Sequence, residues 1–221
     1  MGLEKKSEEP ATGTHLASIY RNEKEQFSAV AHFMAAGLKR NEKCIYIVDE
    51  ATKDEVYYGF KKAGTDIKKN AISGQFVFLA GNESYFKDGY FEPERMLALI
   101  KKAEQQAFAD GYSGLRLAEE MSGIFTRIQW SAIPMEYESK LNYLIENSKT
   151  LALCQYDETR VAGEILLDVI HTHPQVIIYG KAHANPYYLQ PDMFLIKPRP
   201  EGIASAYETL RDYLIADTSL E

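Results

Sequence analysis

No stretch constrains the fold of this chain more than residues 14–50, THLASIYRNEKEQFSAVAHFMAAGLKRNEKCIYIVDE. Residues 15–20 form a short apolar run ending in Tyr20, and residues 44–48 form another, richer in β-branched side chains and bounded by Lys43 and Asp49. Both have the length and composition of buried strands. Between them Phe27, Val30, Ala31, Met34 and Leu38 recur at helical spacing and line one stripe, so the intervening helix has an apolar face to bury. Two near-continuous apolar strands joined by an amphipathic helix make a βαβ crossover. The two strands are therefore expected to run parallel, as neighbours or nearly so, with helices covering both faces of the sheet.

The rest of the chain repeats this alternation. A helix is expected over residues 52–63, with Thr52 or Ala51 near its N-cap, Asp54 and Glu55 in its first turn and Gly64 beyond its end. Strands follow at residues 75–79, 114–118, 150–154 and 176–179, separated by helices over 95–110, 135–147 and a segment carrying Ala162, Ile165, Leu166, Val169 and Ile170. Pro174 biases His173 away from helical dihedrals and so ends that last helix. Residues 121–134 read as an aromatic, irregular segment, and HANPYYLQP as an extended, turn-rich edge. A terminal helix is expected over 204–215, with Tyr207, Leu210 and Leu214 as its stripe and Pro198 and Pro200 as the hinge before it. The domain plan is a flexible tail at residues 1–13, one α/β domain at 14–197 and a helix with tail at 198–221.

Charge and composition exclude several functions. A net charge of −7 and a pI near 5.4 give no broad basic face for phosphate neutralisation, so direct nucleic-acid binding is not expected. No apolar run approaches the roughly 20 residues that span a bilayer, and MGLEKKSEEP is charged rather than signal-like, so the expectation is a cytoplasmic protein without membrane contact. Two cysteines, Cys44 and Cys154, both inside expected strands, rule out a disulfide framework.

In open α/β sheets ligands bind outside the carboxyl ends of the strands. That edge carries Tyr20, Asp49, Glu50, Glu119, Glu120, Gln155, Tyr156 and Asp157. Glu119 and Glu120 are adjacent on a strand and point to opposite faces, so they cannot serve together as an acid/base pair. Cys154 is a redox sensor or metal ligand if its pKa is lowered, and otherwise a packed core cysteine. His171 and His173 join it around a metal only if the helix has already ended at Thr172, since two positions on a helix lie about 200° apart. His15, at the amino end of its strand, reads as a structural histidine opposite the ligand edge. His32 reads as an ordinary helical residue. The aromatics Tyr20, Tyr85, Phe86, Tyr90, Phe91, Phe125, Trp130 and Tyr156 fall mostly in loops after strands, either as walls of an apolar cavity or as loop anchors, with residues 82–91 and 121–133 as candidate lids.

The stretches HLASIY with EQF after it, KCIYIVDE, DGYFEPERM, GYSGLRLAEEM, YESKLN, LCQYD, LLDVIHTHP and NPYY, taken as a set, resemble the MEDS domain, the sensory domain of methanogen and methylotroph proteins typified by DcmR. The resemblance implies a three-layer, mostly parallel KaiC/RecA-like sheet flanked by helices on both faces. It also implies a domain that senses small molecules, hydrocarbon or one-carbon derivatives among them, and acts through kinase or DNA-binding modules. A phosphate-binding loop needs G-x-x-x-x-G-K-[ST] between the first strand and helix, where this chain has Arg21-Asn22-Glu23-Lys24-Glu25-Gln26. The expected function is thus a non-enzymatic, cofactor-free sensory domain for a small organic ligand, with Tyr20, Glu25, Asp49, Glu50, Glu120, Cys154, Gln155 and Tyr156 as its site. Its output would pass through a homodimer or a separate kinase or DNA-binding regulator. The rival is a KaiC-like nucleotide-binding protein or ATPase remnant, and a third reading is an interaction protein with no ligand.

Overall fold

The apolar runs read from the sequence become strands of a single sheet, and the computed structural model describes residues 10–48, 51–128, 132–196 and 204–217. In chain order the elements are β1 (His15–Tyr20), α1 (Glu23–Lys39), β2 (Lys43–Val48), α2 (Lys53–Lys62), α3 (Lys68–Ile72), β3 (Phe76–Ala80), α4 (Pro93–Ala109) and β4 (Leu115–Glu120). They continue with α5 (Ser122–Arg127), α6 (Ala132–Ile145), β5 (Thr150–Asp157), α7 (Gly163–Thr172), β6 (Gln175–Ile178), β7 (Lys181–Ala184), α8 (Pro191–Ile196) and α9 (Ala204–Asp217). Calls on residues 1–9, Asp49, Glu50, Trp130, Pro198 and Pro200 lie outside the described residues.

The sheet order is β3-β2-β4-β5-β1-β6-β7, parallel throughout except for the antiparallel β6–β7 pair. One expectation is corrected here: β1 and β2 are not neighbours, because β4 and β5 insert between them. The local pattern sets the parallel sense of a crossover, whereas strand adjacency is decided by later elements that carry equally apolar strands. The edge after β6 also differs from a bare turn. Tyr179 (φ 51°) and Gly180 (φ 85°) form a two-residue turn with both φ angles positive, which suits the twist of a hairpin and brings β7 back on β6.

Alternation sorts the strand side chains onto two layers. On one face Leu16, Cys44, Tyr46, Val48, Ala118, Leu151 and Leu153 pack with Val30, Ala31, Phe33 and Met34 of α1 and Val56 and Phe60 of α2. On the other, Ala17, Ile19, Ile47, Leu117, Cys154 and Tyr156 pack under α4, α6, α7 and α9. Within α1, Val30, Ala31 and Met34 of the expected stripe are buried. The Thr52 N-cap of α2 is completed by a capping box, Thr52 Oγ1 accepting from Glu55 N and the Glu55 carboxylate accepting from Thr52 N at 2.7 Å. The segment read as irregular contains α5, where the N-cap Met121 and Ile124 are wholly buried. Helix α9 packs on the domain itself: Tyr207 and Leu214 are buried in the second layer, and Tyr207 and Arg211 both reach Glu158.

Candidate functional site

β4 and β5 run longer than the hydrophobic pattern suggested, and their extra residues build the site. Glu119 pairs in register with Cys154 and Glu120 with Gln155, so both acids stay in the ladder and alternate across the sheet. Glu120, Gln155 and Tyr20 share the α1/α2 face. Glu119, Cys154 and Tyr156 share the α6/α7 face. The residues read as one binding edge thus divide into two constellations on opposite sides of one sheet.

On the α1/α2 face a hydrogen-bonded group closes the carboxyl edge. Gln26 Nε2 donates to Glu120 Oε1 at 2.9 Å, Tyr46 OH lies 2.8 Å from that same oxygen and 2.9 Å from Gln155 Oε1, and Gln155 Nε2 donates to the Gln26 carbonyl. Burial, then the Glu120 charge, pushes the Tyr20 and Tyr46 hydroxyls well above their ordinary range, so both remain proton donors at any physiological pH. Above this group a cleft of about 560 Å³ opens between α1 and α2, with Phe27, Tyr58 and Ala51 as apolar walls and Lys24, Lys62 and Glu120 as charged ones. None of its lining comes from residues 82–91 or 121–133, the segments expected as lids. Tyr85 and Phe91 are instead buried, Phe91 edge-on to Tyr137 on the other face.

Glu25 has a local role. Its carboxylate accepts from Arg21 N at 3.0 Å and from Arg21 Nη2 at 2.6 Å, and those bonds hold it below the usual carboxylate range. Asn22 Oδ1 accepts from Glu25 N, capping α1. The first turn of α1, where a phosphate would be cradled in a nucleotide-binding relative of this fold, is therefore engaged by the chain's own side chains.

On the α6/α7 face the structure assembles a polar chamber that sequence reasoning found only in part. His15 from the start of β1, Glu138 from α6, Cys154 from β5 and His173 at the C-cap of α7 are all buried, and their donor atoms lie within 4.8 Å of one another. His15 Nε2 is 3.3 Å from Cys154 Sγ and 3.2 Å from Glu138 Oε2, and His173 Nε2 is 3.3 Å from that same oxygen. Tyr156 OH donates to Glu138 Oε1 at 2.7 Å. Behind them Glu119 accepts from Tyr137 OH at 2.7 Å and lies 3.6 Å from Cys154 Sγ.

The electrostatics follow from burial. Desolvation, with His173 next, pulls His15 down to about 4, so it is neutral at pH 7. Desolvation would raise Glu138, yet the His15 and His173 imidazoles, each within 3.3 Å of its Oε2, hold it ionised well below the usual range. Glu119 is pushed up to about 8 by burial and then by the Glu138 charge, and so stays protonated near neutrality. The Cys154 thiol is raised by burial and the two carboxylates, the opposite of what a nucleophilic or redox-sensing thiolate needs. Cys44 is buried near backbone carbonyls on the other face.

His15, read as a structural histidine at the strand end opposite the ligand edge, sends its side chain into the chamber because residues 15, 17 and 19 share the inner face with Cys154. Helix α7 ends at Thr172, which lets His173 turn inward (φ −118°, ψ 121°). His171 stays partly exposed and outside the group. Glu138 was missed altogether. The available signal was its place at i, i+3, i+4, i+7 with Leu141, Asn142 and Ile145, an acid on the buried stripe of α6.

Comparison with known proteins agrees with this architecture. The KaiC-like protein PH0186 from the hyperthermophilic archaeon Pyrococcus horikoshii OT3 superposes with a TM-score of 0.56 at 12% identity, covering 76% of this chain and 72% of that one, a likeness of fold alone. No curated protein matches the sequence. The family model described as MEthanogen/methylotroph, DcmR Sensory domain matches residues 14–174, which contain β1 to α7 and all four residues of the chamber. This chain belongs to the MEDS family of sensory domains.

Proposed function

We propose that this chain is a non-enzymatic sensory domain that takes a small, partly apolar organic molecule into the cleft between α1 and α2 and reports its presence through a partner protein. The observation that carries the reading is the cleft itself, about 560 Å³ at the carboxyl edge of a parallel sheet, with Phe27 and Tyr58 as walls and the Glu120 carboxylate at its base. A compound with an apolar body and a hydrogen-bond donor, an alkylamine or a small alcohol for example, matches that lining. Family membership supports the sensory role, and we take hydrocarbon or one-carbon derivatives as the ligand class to try first. The partner is a kinase or DNA-binding regulator, or a second copy of the chain, and the protein works in the cytoplasm.

The rival nucleotide reading is disfavoured by the first turn of α1, where Glu25 and Asn22 take the positions a phosphate would need. A thermal-shift panel of methylated amines, alcohols, thiols, halomethanes and ATP with magnesium separates the two. The expected result is a selective rise with a small organic compound, lost in Glu120→Gln. At 100 times Kd the stabilisation is about 2.7 kcal/mol, or roughly 5–10 °C for a domain of this size. A rise with magnesium-ATP alone sinks the proposal.

A further inference from the structure

The buried chamber on the opposite face raises a separate question, because its hydrogen bonds do not close. The His173 Nδ1 atom lies 2.7 Å from the Val169 carbonyl, an acceptor only, so Nδ1 carries the proton and donates it there. In the neutral ring Nε2 then presents a lone pair. It faces Glu138 Oε2 at 3.3 Å, another acceptor, and neither atom has a hydrogen-bond partner. The other Glu138 oxygen is already committed to Tyr156 OH, which leaves Oε2 alone as the inward-facing atom. Two electron pairs aimed at each other in a site shielded from water are reconciled by a proton or a metal cation between them.

The surroundings name the cation. His15 Nε2 reaches Glu138 Oε2 at 3.2 Å and Cys154 Sγ at 3.3 Å, so two nitrogens, one oxygen and one sulfur converge from β1, α6, β5 and the end of α7. Tetrahedral zinc, with bonds of about 2.0–2.3 Å, spaces its ligands about 3.3–3.7 Å apart. The three measured separations need only a few tenths of an ångström of expansion to admit the ion. Imidazole and thiolate exclude magnesium and calcium, which take oxygen ligands. The charges also balance: thiolate and carboxylate neutralise a divalent ion, and the Cys154 proton leaves to solvent as the metal enters. The Val169 carbonyl on His173 and Tyr156 on Glu138 supply the outer hydrogen bonds that orient metal ligands.

We infer that His15, Glu138, Cys154 and His173 form a closed four-ligand site for a thiophilic divalent transition metal, with zinc the best match. All four sit on regular elements or a helix cap beneath α6 and α7, and no open coordination position is left, which makes the centre structural. It pins β1, β5, α6 and α7 together on the face opposite the proposed ligand cleft. The inference stands independently of the sensory reading, since no residue of the chamber lines the cleft.

The test uses the full chain, purified without chelator, stripped with a strong chelator and titrated with Co²⁺ and then Zn²⁺. One equivalent of Co²⁺ should bind with tetrahedral visible bands and a thiolate-to-metal charge-transfer band, and Zn²⁺ should displace it. Cys44→Ser should leave the charge-transfer band intact and Cys154→Ser should remove it; the chain holds no other cysteine. Glu138→Gln, which keeps the side-chain shape, should weaken zinc binding at least 10-fold, while His32→Gln on the exposed side of α1 should not change it. Absence of stoichiometric uptake by the wild type overturns the inference, and so does a cobalt spectrum without thiolate character or one that persists in Cys154→Ser. An uncharged chamber closed by one shared proton would give the first of those results. Either failure leaves the cleft proposal standing, because the thermal-shift response there is read against Glu120 and not against Cys154.

Discussion

At the scale of single residues the fold depends on a charge that the hydrophobic pattern conceals. Arg116 sits mid-strand in GLRLA and is wholly buried on the α1/α2 face. Its Nε donates to Glu42 Oε2 at 2.6 Å, its Nη1 donates to the Phe33 carbonyl at 2.8 Å, and its guanidinium lies 4.7 Å from the Phe33 ring centre. Gly37 makes room for it, since a Cβ there would stand 2.6 Å from Arg116 Cδ. Glu42→Ala leaves a buried cation without its counter-ion and is expected to cost about 3–5 kcal/mol. Urea denaturation checks this: the midpoint should fall at unchanged slope, and a loss below about 1 kcal/mol would mean the pair is solvated in the native state. The strand itself was legible in the sequence, but the compensating acid was not, because Glu42 lies in the turn before β2 and its pairing is set by sheet order. Glu138 was obscured for the same reason. A carboxylate on a buried stripe flags itself, but its partners arrive from β1, β5 and α7, far apart in the chain.

At the scale of elements, α9 is held by a polar clasp as well as by its apolar stripe. Glu158, just after β5, accepts from Tyr179 OH at 2.6 Å, Tyr207 OH at 2.9 Å and Arg211 Nη1 at 2.8 Å. Burial alone would raise this carboxyl, but the three donors hold it below the ordinary range. A depressed carboxylate stabilises the fold above its unfolded pKa, and that contribution is lost as pH falls through the lower folded value. Glu158→Gln should therefore cost about 1–2 kcal/mol near pH 7, with the gap to wild type narrowing as pH drops below about 4. Thermal melts of both proteins across that range decide it, and a gap independent of pH contradicts the clasp. The terminal helix was legible from Tyr207, Leu210 and Leu214, whereas its docking on its own domain was not, since an apolar stripe does not say what covers it. The bounds of β1 were legible to the residue because the run 15–20 is closed by charge and Asn22. The helices α3, α5 and α8 escaped because they are five or six residues long, too short for a helical period to show.

At the scale of the whole molecule, the sheet separates two chemistries. One face carries an open cleft over Glu120, the other a sealed group of nitrogen, oxygen and sulfur donors around Cys154. This division could be anticipated from the opposite facing of Glu119 and Glu120, yet the sequence reading still grouped Cys154, Gln155 and Tyr156 on one edge. A strand places such neighbours on alternate sides, and the ladder shows Gln155 with Glu120 and Cys154 with Glu119. If the α6/α7 face holds a closed metal centre, stripping it should lower the melting temperature of the full chain by several degrees, and readdition of Zn²⁺ should restore it; equal melting with and without metal would leave that centre no structural role. The central claim is that ligand binds on the α1/α2 face. Its most direct measurement is hydrogen–deuterium exchange of the full chain with and without the organic compound that gives the largest thermal shift. Slower exchange in peptides covering residues 23–28 and 55–63, with residues 150–173 unchanged, is the predicted result. Protection confined to 138–173, or absent from the first two segments, would contradict it.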